Sequence, residues 1–469
     1  MSCCLVLVLV LCGASSLAIG LAQEYSQHLL NSIENPLLQP WTGVFLSMGA
    51  LIGCLLSWLP LRCLGRRTAL QLVVAPLLTV GSCFVFLAGA MSPILLLGSS
   101  LQAAALGVSY SAMPIYILES MCFPSNSRAA SAIIACIQLP TAMAALLAHV
   151  YPISSNARYL CLTPAGIIAT AALGLCFTAE SPRWLLLRKQ QIQQAKASLR
   201  ALQGHHGDVC HTLAMFLKEE EQFCERTSIA MLRTYLHSLL LAVSLLGLPS
   251  VCGIHVYDFY SAWVYKFADI YANDKIITLS VRIAAVSIAS GILLIAPGPQ
   301  SLGVSLIIST GTIAIALGAT GLCLFSLEQG ENWTWIVPWL PMVIHLVFQI
   351  TFWLGVSSHA PVTAFQFTPS PLRPSILSLA GGLHWFLVLT ASKFLVFMIN
   401  TIHPFGVCWF YAATSALGLV LIVFRVVPNL SKETIICGKT PSLILAIQET
   451  REETMCELEG SVTSGLETR

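Results

Sequence analysis

Seven charged side chains can do the most distinctive chemistry in this sequence, which is reversible ion pairing: Arg66, Arg67, Glu119, Arg128, Glu180, Arg183 and Arg373. A guanidinium and a carboxylate form charge-assisted, often forked hydrogen bonds, and such bonds make and break when two rigid bodies close and part. Gly65-Arg66-Arg67 follows the second apolar stretch, Glu119 and Arg128 bracket the turn after the fourth, and Glu180-Ser181-Pro182-Arg183 follows the sixth. Any one of these arginines serves equally well to set membrane orientation. Gathered on one face with two carboxylates, they read as a conformational latch. Each such pair, if exposed, contributes only about 0–1 kcal/mol.

A second set of polar residues lies within apolar stretches: Ser250, His255, Tyr257, Tyr260, His345, Gln349, His384 and Trp385. In a bilayer such side chains either contact a solute or bond a neighbouring helix. His345 and Gln349 stand one helical turn apart and share a face. A membrane enzyme would need a nucleophile motif, paired carboxylates or a metal cluster, and none is present. The seventeen cysteines have no metal-ligand spacing and form no extracellular framework, so those inside apolar stretches, among them Cys54, Cys83, Cys136, Cys161, Cys176 and Cys252, read as packing residues. His205, His206 and His211 read as loop histidines in water, not as a metal site. No cofactor, metal or nucleic-acid partner is indicated. A channel would need a continuous polar stripe, and none is seen.

The elements that carry these residues are membrane helices. Hydrophobic residues make up 56% of the chain, charged residues only 9%, and mean hydropathy is +0.80, which places it among polytopic membrane proteins. Continuous apolar runs of roughly 20 residues are the length of a spanning helix. Twelve are predicted, near 2–22, 41–61, 68–91, 94–118, 130–151, 159–178, 234–256, 276–296, 302–325, 334–357, 375–399 and 404–427. The first lacks a basic segment before it and reads as a retained helix, not a secretory signal. The organisation is therefore a six-helix bundle over 1–178, a helical loop over 179–233, a second six-helix bundle over 234–427 and a polar, mostly disordered tail over 428–469. Ile192, Ala195, Leu199 and Leu202 give the loop an amphipathic helix.

Of the 23 lysines and arginines, eighteen fall on the side that holds both termini, which the positive-inside rule assigns to the cytoplasm. Asn332-Trp333-Thr334, a glycosylation sequon, then lies in an outer loop, and a plasma-membrane location follows as an expectation.

Six plus six helices with related halves is the plan of a major facilitator. Trp41, Gly49, Gly53, Gly65-Arg66-Arg67, Gly107, Pro114-Ile115-Tyr116, Glu119, Arg128 and Glu180-Ser181-Pro182-Arg183-Trp184 occur in the order of one family's first half. Gly253-Ile254, Phe259-Tyr260, Gly355, Pro369, Arg373, Trp385, Lys393 and Pro428 follow its second half. The chain thus resembles the sugar porters, and within them the facilitated trehalose transporters of insects. The resemblance implies alternating access between two bundles around a central solute site, with a sugar or neutral polyol as partner.

Departures are equally informative. Arg62 replaces the acidic residue before the Gly-Arg-Arg loop, Ser99 replaces an arginine, Gln366 replaces the glutamate that partners Arg373, and Asn429 replaces a glutamate. Fewer charges imply a latch, and an outward-facing state, less favoured than in relatives. The sugar-binding amides of span seven read Pro249, Ser250 and His255, and span ten has Ser358 and Pro361 for the family's Pro and Trp. Gln138 matches the span-five glutamine with a displacement of two residues. Gln138, Ser250, His255, Tyr260, His384 and Trp385 are the candidate solute contacts. No Asp or Glu occurs between Met1 and Gln23, where proton-coupled relatives carry a carboxylate, so facilitated diffusion is expected. Proton-coupled symport and a transport-deficient sensor or scaffold remain as alternatives, because the fold signals survive better than the sugar contacts do.

Overall fold

The computed structural model describes residues 2–31, 42–88, 92–121, 126–151, 155–187, 191–204, 209, 212–217, 228–254, 281, 285–286, 288–289, 302–329 and 340–428. Among them no strand occurs. Ten helices are long and apolar enough to cross a membrane, and Tyr159–Leu175 is a shorter apolar helix. These eleven overlap eleven of the twelve expected spans, the tenth running ten residues past its expected end to Phe367, while most of span eight lies outside the described residues. Met1–Leu419 form one compact unit and Val420–Arg469 a second.

Span one differs from expectation in length. Helix Cys3–Asn31 runs nine residues past the apolar stretch, and its membrane-compatible part extends to Leu30. The extension continues because its flank is covered: Tyr25, Ser26 and Leu30 are buried, and the Ser26 hydroxyl bonds Gln102 Oε1 of span four. This corrects one expectation, because Glu24 now lies inside the span. The absence of a carboxylate from span one no longer holds.

Helix irregularities have a common cause. All four π-helical turns among the described residues, Leu70–Val74, Ile134–Gln138, Phe352–Ser357 and Ile422–Val426, end two to four residues before a proline: Pro76, Pro140, Pro361 and Pro428. Proline cannot donate to the carbonyl four residues back, and its ring crowds that carbonyl, so a widened turn relieves the clash. Spans eleven and twelve form one long helical element, Arg373–Leu421, broken at His403, whose φ is 59° just before Pro404.

Spans two and four pack backbone to backbone. A Cβ at Gly53 would lie 2.2 Å from the Ala104 carbonyl, and one at Gly107 would lie 2.0 Å from that of Ala50. Small residues at this contact let the helices approach closely, as is common between membrane helices. The close approach fixes span four, which carries Tyr110 and Glu119, against the rest of the first bundle.

In the loop, helix Ile192–Gln203 buries Ala195, Ser198, Leu199 and Leu202. Ala195 and Leu199 pack with Trp184, Leu185 and Leu186. Ile192 is exposed, and Ser198 takes the place expected for it, donating to the Glu180 carbonyl at 2.5 Å. His205, His206, His211 and the sequon at Asn332 lie outside the described residues. Cys12, Cys54, Cys136, Cys161, Cys252 and Cys408 are buried as packing residues. Cys176 departs from that reading and is exposed at the end of its helix.

Candidate functional site

Two polar clusters stand on the elements just described. The first, on the basic face, centres on Glu119 in the last turn of span four, which is 2% exposed. Arg66 grips it with a fork, Nε at 2.8 Å from Oε2 and Nη2 at 3.1 Å from Oε1. The Ser181 hydroxyl donates to Oε2 at 2.5 Å, and Arg373 of the second half donates Nη1 to Oε1 at 3.3 Å. The Arg373 guanidinium also donates Nη2 to the Thr368 carbonyl at 3.0 Å and lies over the Phe365 ring, its central carbon 3.8 Å from the ring centroid. Two cations and a hydroxyl thus neutralise one buried carboxylate, the condition under which a buried charge is tolerated.

Glu180 does something different. Its carboxylate accepts the backbone N–H groups of Arg66, Arg67 and Ser181 at 2.9 Å, that of Thr68 at 3.2 Å and the Thr68 hydroxyl at 2.9 Å. A carboxylate over the first free N–H groups of a helix matches the positive end of the helix dipole. Gly65 is required here, since its φ is 109° and a Cβ would lie 2.6 Å from Glu180 Oε2. Arg67 bonds the Thr178 carbonyl at 2.7 Å. Glu180 and Arg67 therefore brace the first half internally. Arg183 reaches the other half, donating Nη1 to Ser370 Oγ at 2.6 Å, with Phe216 under its guanidinium. The structure divides the seven latch candidates: Glu119, Arg183 and Arg373 join the halves, Arg66 holds Glu119, Arg67 and Glu180 act within one half, and the Arg128 side chain lies outside the described residues.

The seam on this face is closed. Ser57 and Ser378 hydroxyls meet at 2.6 Å, and Cys54 Sγ is 3.6 Å from the Ser378 carbonyl. Glu119 of the opposite half supplies a carboxylate to Arg373, near which the sequence has Gln366. Ser370 was not legible as a contact residue, because a lone serine between prolines carries no pairing signal.

The second cluster is aromatic and lies deeper. Tyr110 of span four stacks on His384 of span eleven, with centroids 5.1 Å apart and planes at 6°. Trp385 meets Tyr110 edge-on at 5.9 Å, and Ser250 Oγ of span seven lies 3.0 Å from His384 Nδ1. Trp385 Nε1 is buried without a hydrogen-bond partner. Three of the expected solute contacts, Ser250, His384 and Trp385, are thereby brought together with Tyr110, which sequence reasoning missed. Gln138 ends a π-helical turn in span five and is half-buried, away from the aromatic residues of this cluster in the contacts described. His255 and Tyr260 lie outside them. His345 and Gln349 satisfy each other instead: Trp353 Nε1 donates to Gln349 Oε1 at 2.9 Å, and Gln349 Nε2 stands 3.1 Å from His345 Nε2. Among the described residues no group of three metal-ligating side chains exists.

Comparison with known proteins agrees with this architecture. The family described as "Sugar (and other) transporter" matches residues 13–436. A facilitated trehalose transporter of Bombyx mori is 23% identical over 400 residues, covering 82% of this chain and 75% of that protein. One from Drosophila willistoni is 22% identical and covers 88% of this chain, which spans about half (48%) of that relative's length. The proton:xylose symporter XylE bound to 6-bromo-6-deoxy-D-glucose superposes with a TM-score of 0.74 at 15% identity, covering 90% of this chain and 96% of that one. An inward-open conformation of the xylose transporter XylE from E. coli gives 0.64 at 16% identity, covering 90% and 95%. With a transporter fold and a family match over most of its length, the chain belongs to the sugar (and other) transporter family of the major facilitators and is a membrane transporter, not an enzyme.

Proposed function

We propose that this protein carries a sugar or related neutral polyol across the plasma membrane by facilitated diffusion, with the basic face and both termini in the cytoplasm. The single observation that supports the site is the buried, unpartnered Trp385 Nε1 beside the stacked Tyr110 and His384. An aromatic face covers the apolar side of a sugar ring, and an indole N–H can donate to a hydroxyl. Because Tyr110 comes from one half and His384 and Trp385 from the other, parting of the halves dismantles the box and releases the solute. The bundles 1–178 and 234–427 are the moving bodies in this reading, and the loop 179–233 carries the latch residues Glu180 and Arg183.

A second reading, proton-coupled symport, is favoured by Glu24, a carboxylate inside span one and only half-buried. Uptake of labelled glucose, trehalose and sorbitol into liposomes holding the purified chain separates the readings. Saturable uptake unchanged by a proton ionophore supports uniport, and uptake that collapses with the pH gradient and with Glu24→Gln supports symport. No saturable uptake of any neutral solute would leave the transport-deficient sensor as the better reading.

A further inference from the structure

Among the described residues, His345 and His359 are buried imidazoles outside both clusters, and His345 stands beside Gln349 while His359 Nε2 has no hydrogen-bond partner. His359 is 1% exposed and sits in helix Ser358–Phe367, directly after the π-helical turn Phe352–Ser357 and two residues before Pro361. Such distorted segments recur at functional sites. This helix packs against span seven, which carries Ser250, and against span four, which carries Tyr110.

Hydrogen bonding fixes the tautomer. The Ser358 hydroxyl donates its single proton to the Leu354 carbonyl at 2.6 Å, so at Nδ1, 2.8 Å away, the ring must be the donor. The neutral ring then carries no proton on Nε2, which is a lone-pair acceptor, buried and without a partner. Buried acceptors in native proteins are nearly always matched, so an unmatched one points to a missing donor.

We propose that His359 Nε2 is a solute-binding acceptor that takes a hydrogen bond from a hydroxyl of the transported polyol, complementing the Trp385 N–H donor. The inference rests on the transport reading above and deepens it. It makes His359 a specificity residue, because a site built around an acceptor rejects an analogue lacking the matching donor.

The test uses the full chain in liposomes, with whichever of glucose, trehalose and sorbitol the wild type carries best, plus the monodeoxy and monofluoro analogues of that solute. His359→Phe is expected to lower uptake efficiency about 10–100-fold for the parent solute. For one deoxy analogue, and for its fluoro counterpart, which accepts but cannot donate, wild type and His359→Phe should be nearly equal. His359→Gln retains an acceptor oxygen and should recover most of the parent's uptake. Equal losses for the parent and every analogue would mean a purely structural role and overturn the inference, as would unchanged uptake in His359→Phe. A wild type that carries no neutral solute sinks both this inference and the transport reading, whereas an active wild type indifferent to His359 sinks the inference alone.

Discussion

The carboxylates of the basic face and the ring nitrogens Trp385 Nε1 and His359 Nε2 are partnered in opposite ways. On the basic face both carboxylates are saturated: Glu119 holds two guanidiniums and a hydroxyl, and Glu180 accepts four backbone N–H groups and a hydroxyl. In the centre, Trp385 keeps an unmatched donor and His359 an unmatched acceptor. Saturation makes a joint that holds two halves in one arrangement. Unmatched groups among the aromatic rings are the ones the transport reading assigns to a solute. The contrast teaches that the two carboxylates find their partners within the chain, while the proposed transport reading assigns Trp385 Nε1 and His359 Nε2 to a solute.

The largest expected effect tests saturation. Glu119→Ala leaves Arg66 and Arg373 buried without their shared counter-ion and should cost about 3–5 kcal/mol, seen as a large fall in melting temperature of the detergent-solubilised protein. A melt within 1–2 °C of wild type would mean that Glu119 is not the joint. Gly65→Ala should follow, at about 1–3 kcal/mol from backbone strain before the clash with Glu180 is counted. In the centre, Trp385→Phe retains the aromatic face but deletes the donor; uptake efficiency should fall about tenfold while the melt stays unchanged. Loss of stability without loss of uptake would reverse the assignment of the two regions. Smallest of all, Ser370→Ala removes one hydrogen bond across the seam, about 1 kcal/mol, and should raise the labelling rate of a reporter cysteine at Ser57 on the closed face.

Much of the fold was legible in the chain because hydropathy is a property of local windows. Eleven spans, the break before Pro404 and the amphipathic helix around Leu199 all follow from composition over a few turns. Span one shows where this fails. Its last nine residues are polar enough to end a hydropathy window, yet they remain helical because neighbouring helices cover Tyr25, Ser26 and Leu30. The candidate site was legible in part: Ser250, His384 and Trp385 do meet, but Tyr110 and His359 carried no local signal. Charges at helix ends announced the basic face, though not that Glu180 covers the start of a helix or that Glu119 pairs with Arg373 across the halves.

By itself the sequence determined a polytopic helical transporter with charged ends on one face, since the bilayer admits few alternatives for runs this apolar. Only the tertiary structure decided which charges join the halves and which brace one half, and which buried polar atoms lack a mate. Those properties belong to pairs of residues far apart in the chain, such as Glu119 with Arg373 and Tyr110 with His384, and no local pattern records a distance that folding alone creates.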